Sequence, residues 1–250
     1  LDVNGNLTEA REDNNNAIVD LSVVEPYEAQ IDIPNQIPRI SPGSTEIVTV
    51  SLLATGSRTE DWTLSWDDSN LPSGWSIVPD GAQNNNPNLI PGIPQNFDFS
   101  ATVPESALGD DNSFIVLTLS LDSDPSISFE SILPIEVLRT RGLSIVGPSG
   151  LDNTNGFGRP GHVATAWMMV ENLGNAYETT TSIDWTAPSW GGNPTLHESS
   201  GTEIFSLNLA PGEQKELFVN LNTPSSIQFG SVTTTTLTMC IGSGDSTLCE

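Results

Sequence analysis

Residues Gly161 to Gly174, GHVATAWMMVENLG, decide the fold. A glycine opens the stretch, apolar side chains fall at alternate positions and a second glycine closes it, which is the pattern of a half-buried strand running into a tight turn. Gly43 to Gly56, GSTEIVTVSLLATG, has the same outline. Side by side, Ala166, Met168 and Val170 match Val48, Val50 and Leu52 as the residues turned inward. The match continues: LIPG (Leu89 to Gly92) answers LAPG (Leu209 to Gly212), Phe97 and Phe99 answer Leu217 and Val219, Pro104 answers Pro224, and Gly109 answers Gly230. A period of about 120 residues is far too long for a solenoid repeat and suits tandem β-sandwich domains. Segments such as DWTLSW, NFDFSATVP and FIVLTLSL alternate apolar and polar residues between Gly, Pro, Asp and Asn, as antiparallel strands do. Nothing of length shows helical periodicity.

A length of 250 residues is enough for two such units plus a fragment. The reading divides the chain into residues 1–24, the end of an upstream domain or first strands, residues 25–139, a first sandwich, and residues 140–250, a second sandwich. Leu143 to Val146 reads as the first strand of the second unit, and the short glycine-rich run between the units predicts a semi-rigid joint. The first unit ends in a long strand, Ile127 to Leu138, whereas the second stops at Cys249-Glu250, where the matching strand should begin. The chain opens LDVNGN, with neither a basic stretch nor an apolar one. Both ends therefore read as cuts in a longer protein.

Seven Lys and Arg face 32 Asp and Glu, a formal net charge of −25, and Lys215 is the only lysine. Nucleic acid is excluded as a partner on that balance, because phosphate binding needs a basic footprint. An acidic, lysine-poor surface suits a protein working in salt, where self-repulsion is screened within about 8 Å, and it suits plain solubility equally well. No run of about 18 apolar residues is present, so no membrane span is expected.

Cys240 and Cys249 both lie in TMCIGSGDSTLCE. If Gly242 to Thr247 form a hairpin loop, their Cβ atoms face each other across neighbouring strands, within reach of a disulfide. That pairing points to an oxidising compartment. Free buried thiols are the alternative. A zinc site is not, since two cysteines without a histidine nearby cannot complete one.

Several motifs carry a resemblance. A turn at Asn4-Gly5 is followed by an acidic and amide cluster, and Asp2, Gly5, Glu9, Glu12, Asn14 and Asn15 fit a D-x-x-G-x-x-x-E-x-x-E-x-N-N pattern. This resembles the closing hairpin of the cell-adhesion-related (CARDB-like) immunoglobulin-like domain of bacterial and archaeal surface proteins. Leu71 to Ile77 (LPSGWSI), Leu89 to Gly92 and Val103 to Gly109 (VPESALG) resemble the NPCBM-associated, alpha-galactosidase-associated immunoglobulin-like module of secreted glycosidases and surface proteins. The second unit departs from that pattern, with APSWGGNP in place of LPSGW and TPSSIQFG in place of VPESALG. The resemblance implies an all-β fold of tandem immunoglobulin-like antiparallel β-sandwiches, and accessory or spacer modules that bring no catalytic residues of their own.

The candidate sites are sparse. Asp2, Asn4, Asn6, Thr8 and Asp13 echo the oxygen-ligand spacing of an EF-hand loop, a weak calcium site. However, Leu7 stands where the sharp turn needs glycine and the bidentate Glu is missing, so a solvated turn is the competing reading. Asn6-Leu7-Thr8 is an N-glycosylation sequon. Gly156-Phe157-Gly158-Arg159-Pro160-Gly161 matches G-x-G-x-x-G in letters but leads into a strand rather than a helix, so a flexible loop is expected there. His162 and His197 lack partners at metal-ligand or triad spacing. Asp67-Asp68, Asp110-Asp111 and Asp122/Asp124 could pair as glycosidase carboxylates, yet each sits where Asp serves a turn.

Trp66 and Trp185, on equivalent strands, read as core residues, and Trp75 as a cap at the end of the first sandwich. Trp167 and Met169 point outward if Ala166, Met168 and Val170 point inward, which marks either a contact surface or a place covered by a loop. The expectation is a non-enzymatic segment of an extracellular or cell-surface protein, acting as a spacer or adhesion module. Its expected partners are neighbouring domains of the same protein, like subunits or surface glycans, with no cofactor. A carbohydrate- or protein-binding accessory module of a secreted hydrolase is the alternative.

Overall fold

A computed structural model describes residues 25–250. The calcium and glycosylation candidates Asp2, Asn4, Asn6, Thr8 and Asp13, and the hairpin that resembles an adhesion-type domain, lie outside the described residues.

The chain is all-β, and its sheets pair into immunoglobulin-like sandwiches. The strands of the first are β1 (Ala29–Asp32), β2 (Arg39–Ile40), β3 (Thr45–Ala54), β4 (Glu60–Asp67), β5 (Ser76–Pro79), β6 (Asn88–Leu89), β7 (Gln95–Thr102), β8 (Asn112–Leu121) and β9 (Asp124–Val137). One sheet runs β1-β3-β7-β5 and the other β2-β9-β8-β4-β6. The pairings are antiparallel except that of β2 with β9. This is the immunoglobulin arrangement, with the first, second, fifth and fourth main strands in one layer and the third, sixth and seventh in the other.

The second sandwich repeats that order with β10 (Leu143–Val146), β11 (Val163–Asn172), β12 (Glu178–Trp185), β13 (Thr195–Glu198), β14 (Asn208–Leu209), β15 (Gln214–Asn222), β16 (Leu237–Ile241) and β17 (Leu248–Cys249). Its sheets are β10-β11-β15-β13 and β14-β12-β16-β17. Register repeats as well: Val48 faces Phe99 and Val50 faces Phe97, while Ala166 faces Val219 and Met168 faces Leu217.

The turn that opens each of these strands is built alike. Gly43 and Gly161 hold φ of +74° and +77°, a region that costs any residue with a Cβ. Each donates its N–H at 3.1 Å, to the Val103 carbonyl and the Thr223 carbonyl respectively.

Each sandwich has its own core. The first closes on Val50, Leu52, Leu64, Phe99, Leu117, Leu119 and Leu133, and the second on Met168, Val170, Leu196, Leu217, Met239 and Ile241. The tryptophans differ from expectation. Trp62 is the wholly buried one, packed at 5.9 Å against Phe129, whereas Trp66 and Trp185 are half-buried at the margins of their cores. Residues 62, 64 and 66 all face inward along β4, but Trp66 lies at the strand end, where it meets Phe99 edge-on at 5.8 Å. Trp75 is half-buried against the first core.

Candidate functional site

The most elaborate polar construction among the described residues is the joint between the sandwiches. Asn175, in the turn after β11, grips the connecting segment on both sides. Its Oδ1 accepts from the Thr140 N–H and its Nδ2 donates to the Leu138 carbonyl, both at 2.8 Å. Its N–H donates to the Thr140 carbonyl at 3.2 Å, and its carbonyl accepts from Gly109 N–H of the first sandwich at 2.8 Å. One residue thus ties the end of β9, the linker and the β7–β8 turn together. Gly109 is needed for contact this close, since a Cβ there would stand 2.5 Å from Asn175 Oδ1 and 2.9 Å from Arg139 Cα.

Arg139 does the same with charge. Its guanidinium reaches Glu178 Oε1 through Nε at 3.1 Å and Nη2 at 2.9 Å, the Tyr177 carbonyl through Nη2 at 2.9 Å, and Asp110 of the first sandwich through Nη1. Asp110 holds a left-handed backbone, φ +70°, which aims its carboxylate at the joint. The Glu178 side chain is only 3 % exposed, so its charge depends on partners, and Arg141 Nε supplies a second cation at 3.2 Å. Burial works against the Arg139 charge, and hydrogen bonds and attraction from Glu178 and Asp110 outweigh it, lifting its pKa above the ordinary arginine value.

The disulfide stands behind this group. Cys240 and Cys249 face each other on β16 and β17, bonded, with Cα atoms 4.1 Å apart. In the hairpin they close, Gly242 packs against Arg141 so tightly that a Cβ would lie 2.9 Å from Nε. The bond belongs to chains that fold in an oxidising compartment. No helix among the described residues is long and apolar enough to cross a membrane.

The remaining candidates are dispersed. Trp167 and Met169 are half-buried and outward, on the face opposite Met168 and Val170. Trp167 faces Phe218 and Phe218 faces His197, a row of rings across β11, β15 and β13. His197 is tied to the Gly201 carbonyl and the Thr195 hydroxyl at 3.1 and 2.9 Å, and His162 to the Pro160 carbonyl at 3.1 Å. Asp67 accepts from Ser69 N–H, Asp111 from Leu108 N–H, Asp122 from the Thr63 hydroxyl and Asp124 from Ser126, so these carboxylates hold turns and neighbouring strands. Among the described residues no group of three His, Cys, Asp or Glu could hold a metal ion.

The Gly156 to Gly161 stretch is not the free loop expected. Phe157 bridges to Thr165, and a Cβ on Gly158 would come within 2.7 Å of the Ala164 Cβ, so the glycines let this segment lie flat along β11.

Sequence reasoning missed Asn175, Arg139 and Glu178. A signal was there: in a chain with seven basic residues, two arginines at 139 and 141 in the linker call for partners.

No protein-family model matches the chain, and no curated protein matches it. Solved structures do. The secreted serine protease VesC from Vibrio cholerae is 9 % identical with a TM-score of 0.34, and the match covers 89 % of this chain and 50 % of that one. The E. coli chaperone DraB is 10 % identical, TM-score 0.31, covering 86 % of this chain and 91 % of the chaperone. The periplasmic chaperone SfaE is 10 % identical, TM-score 0.31, covering 86 % and 92 %. The chain thus spans half the length of the protease.

One expectation is corrected by this comparison. A secreted serine protease stands among the structures the chain is similar to, so the exclusion of an enzyme drawn from the sequence is withdrawn. At that identity and TM-score, no residue of the protease's chemistry is carried over to this chain.

Proposed function

We propose that this chain is a segment of an extracellular or cell-surface protein that spaces and orients what it connects, with adhesion or assembly as the larger task. The observation that carries the reading is the joint. A chain that only needed to link two folded units could use a few free residues. Here Asn175 bonds to Gly109, Leu138 and Thr140, and Arg139 bridges Asp110 to Glu178, so load and orientation pass from β9 into β12 through fixed contacts. The resemblance of Leu71 to Ile77 and Val103 to Gly109 to modules of surface proteins and secreted glycosidases is in keeping with it, and so is the disulfide. The acidic surface, −25 overall, keeps such a stalk from sticking to itself.

Alignment of the whole chain in solution tests the reading. NMR residual dipolar couplings should give both sandwiches one alignment tensor, and small-angle scattering should fit a single shape. Two independent tensors would sink it.

A second reading rests on the row Trp167, Phe218 and His197, which would suit a sugar ring or an apolar protein surface in an accessory binding module. A glycan array probed with the chain and with Trp167→Ala decides it. Retention that disappears with Trp167 supports the module, and no retention by either protein rejects its sugar-binding form.

A further inference from the structure

Two equivalent sheets carry different chemistry on their outer faces. In the first sandwich Thr49 faces Asp98 and its hydroxyl donates to that carboxylate, and the row runs on to Asp80, whose N–H donates to the Asp98 carbonyl at 2.9 Å. At the matching places of the second sandwich, Trp167 faces Phe218 and Phe218 faces His197. The next rung differs likewise: Ser51 faces Asn96, whereas Met169 faces Glu216. Since Thr, Asp and Ser serve the first sheet at these positions, neither the strands nor the core beneath them calls for rings in the second.

The apolar face extends past the row. Phe157 bridges Thr165, which lies two places before Trp167 and so on the same face, and Phe157 is 87 % exposed. Carboxylates flank the rings. His197 bridges the exposed Glu203, Glu216 lies diagonal to Trp167 across one strand pair, and Glu171 follows Met169 on the same face. Among the described residues none of these three acids is in an ion pair. Lys215 turns to the other face and donates to the Asn208 carbonyl at 2.8 Å, and Arg159 stands in the turn beyond Phe157. Both His197 ring nitrogens are taken, by the Thr195 hydroxyl and the Gly201 carbonyl, and Asn220 Oδ1 accepts from the Thr165 hydroxyl. Apart from the Asn220 amide nitrogen, the strong hydrogen-bonding groups left beside the rings are therefore carboxylates, which when ionised only accept.

We propose that the outer face of β11, β15 and β13 is a docking surface for an arginine-bearing segment of another protein, its guanidinium stacked on Trp167 and bonded to the Glu216 carboxylate. A guanidinium is flat, carries five N–H donors and no acceptor, and is attracted to the face of an indole, so it answers both the ring and the acid. Charge selects the partner: a chain of net charge −25 draws in a basic segment and repels an acidic one, a second copy included. Size agrees. From Trp167 to His197 the row crosses two strand spacings, about 10 Å, a patch too narrow for the roughly 800 Å² per partner that a stable dimer needs. The inference rests on the second reading above, that this row is a contact surface, and names the chemistry of what contacts it.

The test uses the whole chain at about 0.15 M salt, where charges more than about 8 Å apart are screened. The probes are blocked hexa-arginine and hexa-citrulline, the latter keeping the flat head group and losing the charge. NMR titration should show hexa-arginine shifting the amides of Trp167, Phe218 and Glu216 more than those of Thr49 and Asp98, and hexa-citrulline shifting neither set. Trp167→Thr with Phe218→Asp installs the pair that the first sandwich carries at the same register. It should weaken binding at these amides about tenfold even though it adds a carboxylate. Glu216→Gln, which leaves the rings in place, should weaken binding about threefold.

Undiminished binding by the double variant would reduce the effect to general acidity and overturn the proposal. So would the absence of any hexa-arginine shift at these amides, or a dimer in sedimentation that the double variant abolishes. Should hexa-citrulline or a glycan be held as tightly, in a manner that depends on Trp167, the face remains a contact surface but its occupant is neutral: the second reading survives and this inference fails.

Discussion

The last strand of the first sandwich is held by packing, whereas the pairing of β16 with β17 in the second also carries a covalent bond. β9 spans Asp124 to Val137 and carries Leu133, Ile135 and Val137 into its core, whereas Leu248–Cys249 is fastened to β16 by Cys240–Cys249. Equal strand order has therefore not produced equal cores. Leu64 and Leu117 lie out of water in the first sandwich, whereas Ile183 and Leu237 are only partly buried in the second.

The contrast can be broken most forcefully in the cores. Leu117→Ala should cost about 3 kcal/mol, since a wholly buried leucine leaves both lost transfer energy and a cavity. Leu237→Ala, at the equivalent place, should cost less, about 1–2 kcal/mol, because part of its surface is already wet. Amide exchange read separately on β8 and β16 under mild denaturant measures both in one chain. Equal costs would mean that Leu237 lies as deep in solution as Leu117.

The disulfide comes next. Replacing Cys240 and Cys249 by serine opens a link between residues nine apart in sequence, which the loop-entropy relation values at about 2–3 kcal/mol. The loss should appear in β12, β16 and β17 and leave β8 and β9 untouched. A loss spread evenly over both sandwiches would show that the joint couples their stabilities.

Asn175→Ala probes that coupling directly. It strands the Thr140 amide and the Leu138 carbonyl, at a cost of about 1–2 kcal/mol. The more telling readout is orientation: the two sandwiches should acquire separate alignment tensors while each keeps its own exchange pattern. Restored rigidity in Asn175→Asp, which keeps the acceptor for Thr140 alone, would place the weight of the joint on that one bond.

What could be read beforehand follows from the range of each interaction. Alternation is local, so Val48, Val50 and Leu52, or Met168 and Val170, announce their faces within a few residues, and Leu143 to Val146 is a strand as read. The cysteine pair is local too. Trp62 and Trp66 share one inward face of β4, and nothing nearby says which of them lies deep; that depends on Phe129 and Phe99, far along the chain. The joint was least legible. Asn175 looks like any turn residue, and Glu178 like any strand-end acid, until the sandwiches are set end to end and the linker arginines arrive beside them.

The smallest expected effect concerns acid. Asp67 is held below the usual carboxylate range by hydrogen bonds from the Ser69 backbone and side chain, and Asp124 by those from the Ser126 side chain and backbone. A carboxylate whose pKa is lowered by folding adds stability that is complete above the unfolded value, near 3.9, and disappears as pH falls through the lowered folded value. Both groups lie in the first sandwich, Asp124 in the very turn that launches β9, and both are fully exposed, so the contribution is slight. Between pH 5 and about pH 3, exchange in β8 and β9 should therefore accelerate a little more than exchange in β15 and β16, once corrected for intrinsic rates. Asp67→Asn with Asp124→Asn should remove the difference. If the double substitution leaves the acid response of β8 and β9 as it was, the two turns do not set it.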